Sequence, residues 1–311
     1  MNTDRPTTAT AEAPSSIGNV ATGFDILGHT IEGPKDRVTV RRTASPRSRL
    51  DKVSGVLQEL PADPARNTAL RALEDMRRSL GLSFGFEVDI EKGIALGSGM
   101  GGSAASAVAA LVAANALLDE PLNQEALYAF AVEGEAAASG GHHGDNVGPM
   151  LVGGLALATK HRLVRLPVPE GLTCIVVHPH FVLETRRARA VLAEPYQLGE
   201  FVAQSDHLAQ LISGLFMRDF EAIRRGLEDV LVEPRRAHLI PGFADVKKTA
   251  LDAGALGSSI SGGGPSVFAW FESPAAVKDA AVGMRAAFAR AGLDSDAIVS
   301  PVAGPKARLV E

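Results

Sequence analysis

Apolar and polar positions alternate along Arg37-Val38-Thr39-Val40-Arg41-Arg42-Thr43, a period of two that predicts a half-buried strand. The period then changes. Leu70, Leu73, Met76 and Leu80 recur at helical spacing, so a helix is expected over 68–80. Phe84, Phe86, Val88 and Ile90 alternate again, giving a strand that runs toward Gly93. After a glycine cluster at 97–102, the alanine-rich stretch 103–118 predicts a helix whose small side chains allow close packing on a sheet. Pro121 and Asn123 punctuate, and a second helix is expected over 124–138. Residues 150–159 read as a buried strand bent at Gly153-Gly154.

The pattern breaks between Lys160 and Gly171, where Pro167 and Pro169 fall. A domain boundary is expected there, with an N-terminal lobe over 13–165, a C-terminal lobe over 166–311, and a flexible polar tail over 1–12. The second half opens with a buried strand at 173–177. Helices are expected near 185–192, 199–214, 218–230 and 242–253, then a strand at 266–271, a helix over 274–292 and a strand near 297–302. Helices and strands mix without regular alternation, which predicts an α+β fold rather than a doubly wound one.

Composition narrows the class. Of 311 residues 46% are apolar, too many for a disordered chain. The net charge of −5, with Lys and Arg scattered, points away from nucleic acid and from anionic membranes as partners. One cysteine, Cys174, leaves no internal disulfide and suits a reducing cytoplasm, where it is expected as buried filler. The N-terminus lacks a basic-then-apolar leader, and Ser103–Leu118 is too short to span a bilayer.

The strongest local feature is Gly97-Ser98-Gly99-Met100-Gly101-Gly102-Ser103-Ala104-Ala105, set between a predicted strand and a predicted helix. Glycines let backbone approach a ligand, and a helix N-terminus offers free N–H groups, so an anion site suited to phosphate is expected. Gly97, Gly99 and Gly102 formally match the dinucleotide fingerprint, but no acidic strand end follows. No Lys-Ser or Lys-Thr completes a P-loop. A tight packing turn is the plainer alternative.

The loop also resembles the phosphate-binding motif of the galactokinase–homoserine–mevalonate–phosphomevalonate (GHMP) kinases, Pro-x-x-x-Gly-Leu-Gly-Ser-Ser-Ala. Ala95 stands near the motif's proline, Gly102 replaces its first serine, and Ser103 keeps the second. Ala13 to Gly28, with Asn19 and Gly23-Phe24-Asp25-Ile26-Leu27-Gly28, resembles the first motif of the homoserine branch. Ile260 to Ser266 is similar to the third GHMP motif. Three further stretches resemble segments of the homoserine branch: His143-Gly144-Asp145-Asn146-Val147-Gly148-Pro149, Thr185 to Arg189, and Glu233 to Arg236 before Leu239-Ile240-Pro241-Gly242. The resemblance runs from Ala13 to about Val302.

The resemblance implies a two-lobed α+β kinase, with an N-terminal lobe like the second domain of ribosomal protein S5, a ferredoxin-like C-terminal lobe, and the active site between them. It implies ATP as phosphoryl donor, Mg²⁺, and the side-chain hydroxyl of L-homoserine as acceptor, a step toward threonine. Gly97, Ser98, Gly99, Met100, Gly101, Gly102 and Ser103 would hold phosphates, and Asn67 would lie on the nucleotide side. Ser103 and Glu135 would hold the metal. Asp25 and Asp145 would face the substrate ammonium, and Arg189 and Arg236 its carboxylate. Asn19, His143, Asn146 and Thr185 would shape the site, with Asn146 and Thr185 positioning the hydroxyl. No side chain is expected to be an obligatory general base. Other small alcohols, a non-catalytic binding role and, more distantly, a dehydrogenase stay open, as does a homodimer.

Overall fold

The computed structural model describes residues 6–160, 162–193 and 195–310. Residues 1–5 of the expected tail lie outside them, as do the side chains of Ser139 and Thr185. In chain order the first half forms β1 (Thr8–Gly18), β2 (Leu27–Thr43), β3 (Arg49–Gly55), α1 (Thr68–Ser79), β4 (Gly85–Lys92), α2 (Gly102–Asn115), α3 (Gln124–Ser139), α4 (Val147–Val152), β5 (Leu155–Ala158) and β6 (Leu163–Arg165). The second half forms β7 (Thr173–Pro179), α5 (Thr185–Ala190), α6 (Leu198–Met217), α7 (Phe220–Gly226), α8 (Glu233–Arg236), α9 (Phe243–Asp252), β8 (Gly257–Ile260), β9 (Val267–Phe271), α10 (Val277–Arg290), β10 (Ser295–Pro301) and β11 (Arg308–Val310).

The first sheet runs β11-β1-β2-β4-β3, with β5 on β2 and β6 on β5. Helix α2 lies against β1 and β2, and its alanines are buried nearly all round. Small side chains allow that close approach. Helix α1 starts where Asn67 accepts the Leu70 N–H at 3.2 Å, and α3 where Asn123 accepts that of Ala126 at 2.9 Å. The second sheet has the order β10-β7-β9-β8. Numbered within the lobe this is 4-1-3-2, the expected ferredoxin-like order. Its inner strands alternate between two cores. Cys174, Val176, Phe268 and Trp270 face the core shared with the first sheet, while Ile175, Val177, Val267 and Ala269 face α9 and α10. Burial on both faces explains why 174–177 reads as an unbroken apolar run.

Three expectations need correction. Residues 8–12 are not tail: they begin β1, where Ala11 is fully buried and Glu12 meets Lys35 at 2.5 Å and Arg308 at 2.8 Å. Residues 150–152 are helical, not strand. The run turns into β5 only after Gly153 and Gly154, and short apolar runs do not distinguish the two states. The C-terminal lobe does not keep all of 166–311, because β11 returns to pair with β1 (Thr10 opposite Val310). Among the described residues no helix is long and apolar enough to cross a membrane.

His29 on β2 and Trp270 on β9 join the two sheets. The Trp270 indole N–H donates to His29 Nε2 at 3.1 Å, and His29 Nδ1 donates to the Thr30 carbonyl at 3.0 Å. Both bonds suit one neutral tautomer. Burial, only partly offset by the Thr30 bond, pulls the His29 pKa down to about 4. Between the ordinary value near 6.5 and about 4, the unfolded chain takes up a proton that the folded chain refuses. His29 therefore costs stability as pH falls through that window, by about 3 kcal/mol in all. We expect the stability difference between wild type and His29→Gln, read by urea unfolding, to shift in the variant's favour between pH 6.5 and 4.5. Parallel pH profiles would assign the effect elsewhere. Other titrating groups cancel in the difference.

Candidate active site

The first motif leaves β1 through an unusual backbone. Asn19, Val20 and Ala21 have φ of 71°, 40° and 56°, and Asp25 has 62°. Side chains other than glycine resist this region, so other contacts must hold the turn. Asn19 supplies several. Its Oδ1 accepts the Asp25 N–H at 3.0 Å, its Nδ2 donates to the Gly262 carbonyl at 2.8 Å, and its own N–H donates to Asp145 Oδ2 at 3.2 Å. One residue thus gathers the first motif, the third motif and the Asp145 segment.

The glycine loop alternates in the sign of φ. Gly97, Gly99 and Gly101 stand at 66°, 79° and 70°, and Gly101 opens α2 without a side-chain cap. Such alternation gathers N–H groups into a concavity for anions, and the α2 N-terminus adds its partial positive charge. A carbonyl turned into that concavity would repel phosphate. The carbonyls of Ser98, Gly99 and Met100 are instead taken up by Ser266 Oγ at 2.6 Å, Ser261 Oγ at 2.6 Å and the Ser16 N–H at 3.1 Å.

A cleft of about 200 Å³ runs between this loop, the Asp145 segment, α5 and Gly262–Gly264. It brings together the expected Asn19, Asp25, His143, Asp145, Asn146, Arg189, Arg236 and Glu135 with Gly97, Ser98, Gly99, Gly101, Gly102 and Ser103. Two expected residues do not line it. Met100 is buried behind the loop. Asn67 spends its amide on capping α1 and on the Pro61 carbonyl, at 2.8 Å. Thr185 begins α5, but its side chain lies outside the described residues.

The charges are already organised. Arg189 grips Asp25 with two nitrogens at 2.9 and 3.1 Å, and His143 Nδ1 lies 3.1 Å from the same carboxylate. The two residues expected at opposite ends of a substrate therefore pair with each other here. Arg236 is 2% exposed and donates to the Ala188 and Gly262 carbonyls at 2.8 and 3.2 Å. Asp229 places it by accepting the N–H groups of Leu231, Val232 and Glu233, which sets up α8. Burial, then the Arg189 charge, pulls Arg236 down to about 10, so it stays charged at neutral pH. Phe24 lies 5.4 and 5.2 Å from the two guanidinium carbons.

Two acids sit deeper. Burial, with the nearby Asp25 charge, pushes Asp145 up to about 7. Burial pushes Glu135 up to about 8, against the pull of the Ser103 hydroxyl, 3.0 Å from both its oxygens. Each would ionise fully beside an added cation. Ser16 Oγ donates to Asn146 Oδ1 at 2.8 Å and so orients that amide. Ser16, Phe24, Ser261 and Ser266 were not among the expected site residues. All four lie within the recognised motifs, so their positions were visible although their roles were not.

The family model for GHMP kinase N-terminal domains matches residues 67–154, and that for the C-terminal domain matches 209–290. The chain is 57% identical over 302 residues to a homoserine kinase of Xanthomonas campestris pv. campestris (strain B100), covering 97% of this chain and 94% of that one. The chain belongs to the homoserine kinase family of GHMP kinases. A crystal structure of homoserine kinase from Cytophaga hutchinsonii ATCC 33406 matches it with a TM-score of 0.93 at 39% identity, covering 100% and 99% of the two chains. A mevalonate diphosphate decarboxylase from Staphylococcus aureus matches with a TM-score of 0.74 at 13% identity, covering 98% of each. That likeness shows the fold alone. The expected two-lobed GHMP kinase fold is thus the fold of this chain, and its glycine loop lies within the matched N-terminal domain.

Proposed function

We propose that this chain transfers the γ-phosphoryl group of ATP to the side-chain hydroxyl of L-homoserine, giving O-phospho-L-homoserine and ADP. The observation that carries the proposal is one cleft holding a glycine anion site beside a paired set of carboxylates and arginines. A zwitterion with a hydroxyl fits that set. Its ammonium goes to Asp25 and Asp145, and its carboxylate to Arg189 and Arg236, where a planar fork favours two-point binding. Because Arg189 and Asp25 pair with each other, the substrate is read as entering by exchange, each charged end replacing one partner. An ammonium beside Asp145 would lower its pKa again and leave it ionised, which suits a binding role better than a basic one.

Asn146, oriented by Ser16, and Thr185 are assigned to placing the hydroxyl in line. A loose phosphoryl-transfer transition state gains little from early deprotonation, so positioning and charge neutralisation carry the rate. Ser103 and Glu135 are the residues that would hold Mg²⁺, a hard ion suited to hydroxyl and carboxylate oxygen; their proximity and the raised Glu135 pKa fit it. When bound, Mg²⁺ supplies neutralisation of phosphate charge. A cytoplasmic location fits the lone buried thiol, Cys174.

The test is an ADP-release assay with homoserine, mevalonate, galactose, serine and threonine. Homoserine should give the highest kcat/KM; preference for another alcohol by folded protein would sink the substrate assignment. Ser103→Ala and Glu135→Gln should shift the Mg²⁺ titration of the rate to higher concentration. An unchanged titration would remove them from the metal's surroundings.

A further inference from the structure

A closed polar cluster lies beneath the glycine loop, outside the cleft but within reach of the Gly102 carbonyl and of the Glu135 charge. Lys92 ends β4, and Asp36 sits across from it on β2, one step beyond the Arg37–Glu91 pair. Both side chains have 0% exposure. The Lys92 ammonium donates to Asp36 Oδ2, to the Gly102 carbonyl at 2.5 Å and to Ser106 Oγ at 3.0 Å, which uses all three of its protons. Asp36 Oδ1 accepts the N–H groups of Gly93 and Ile94, each at 3.1 Å, and Oδ2 also accepts the Ser106 hydroxyl at 2.7 Å. The cluster is saturated, so it offers nothing to a ligand. Its contacts fall on both ends of one loop. Gly93 and Ile94 lead into the glycines, and Gly102 is the first residue of α2.

We propose that Lys92 and Asp36 are positioning residues that clamp the two ends of the glycine loop and so set nucleotide affinity and phosphate alignment without touching either substrate. The inference rests on the reading of this loop as the ATP phosphate site. Three left-handed glycines give residues 97–101 wide conformational freedom, and such a segment holds one shape only if its ends are fixed. The residue after Gly102 is Ser103, 3.0 Å from Glu135, so a shift of the Gly102 carbonyl passes directly to the α2 N-terminus and to that hydroxyl. A buried ion pair gains little stability over a neutral filling of similar volume. The distinctive consequence of this pair is therefore geometric.

That separation makes the clamp testable. Lys92→Met alone strands the Asp36 carboxylate and should destabilise the fold. Lys92→Met/Asp36→Asn removes both charges, keeps an acceptor for Gly93 and Ile94, and loses the ammonium bonds to Gly102 and Ser106 together with the Lys92 charge near Glu135. We expect the double variant to recover much of the melting temperature lost in the single one. Its Kd for MgADP, by calorimetry, should remain raised roughly 10-fold to 100-fold, the scale of a small misplacement near the reacting groups. Its KM for homoserine should stay close to wild type while kcat falls. Ser106→Ala, which cuts one strand of the clamp with little volume change, should weaken MgADP binding in the same direction by less. A folded double variant that binds MgADP as wild type does overturns the clamp. If the double variant does not fold, unchanged MgADP affinity in folded Ser106→Ala overturns it instead. Failure of the wild type itself to bind MgADP overturns the nucleotide reading, and the clamp with it.

Discussion

Replacing Arg236 by alanine should lower kcat/KM for homoserine by roughly a hundredfold to several thousandfold, the equivalent of about 3–5 kcal/mol. Arg236 is almost fully buried, and its guanidinium serves two backbone carbonyls while supplying one of the two positive charges in the cleft. Alanine would remove the charge, take a donor from the Ala188 carbonyl, leave the Gly262 carbonyl to Asn19 alone, and leave the substrate carboxylate facing Arg189 alone. Arg189 is itself partly engaged by Asp25 and has 34% side-chain exposure, so Arg189→Ala should cost less. Arg236→Lys keeps a charge without the planar fork and should fall between wild type and alanine. The discriminating measurement is calorimetric titration with MgADP. Nucleotide affinity close to wild type in Arg236→Ala supports the carboxylate assignment, and a parallel loss of nucleotide affinity argues against it.

Gly99→Ala should all but abolish nucleotide binding and lower the melting temperature. At φ 79° an alanine carries about 1–2 kcal/mol of local strain. The larger obstacle is space. A Cβ at Gly99 would lie 2.5 Å from the Ser261 carbonyl oxygen and 2.8 Å from that of Gly264, backbone atoms with no rotamer to escape into. The two glycine loops would have to separate, losing the Ser261 hydrogen bond to the Gly99 carbonyl. Gly140→Ala is the control. It has similar φ, 71°, but nothing within 4 Å of the new Cβ, so it should show the backbone cost alone and keep nucleotide affinity. Equal behaviour of the two variants would show that loop contact is not what Gly99 protects.

Much of this architecture was legible in one dimension. The helix at 68–80 and the strands around Val38–Val40 and Phe86–Ile90 follow from spacing, because each buries one face more than the other and its period records that face, whereas the helix after the glycines, buried nearly all round, follows from its alanine-rich composition. The motif segments also named most of the cleft, since the glycines, Asp145-Asn146 and the arginines are chemically distinctive. Other features were decided only in three dimensions. The β1 segment, Thr-Ala-Thr-Ala-Glu-Ala-Pro-Ser-Ser-Ile-Gly, opens on a polar–alanine alternation, but its apolar positions there are only alanines, so its Thr- and Ala-rich start reads as tail although most of its length is buried. Strand β11 belongs to the first sheet through a pairing nearly three hundred residues distant in sequence, which no local pattern encodes. Asn67 carries the polar amide a ligand would need, and only its cap geometry shows where that amide is spent. Arg189 and Asp25 are expected at opposite ends of a substrate, and only the tertiary structure shows that they lie within 3 Å and pair with each other. Lys92 and Asp36, ordinary charged positions in an alternating strand pattern, become a saturated pair because the fold closes α2 over them and leaves no water to compete.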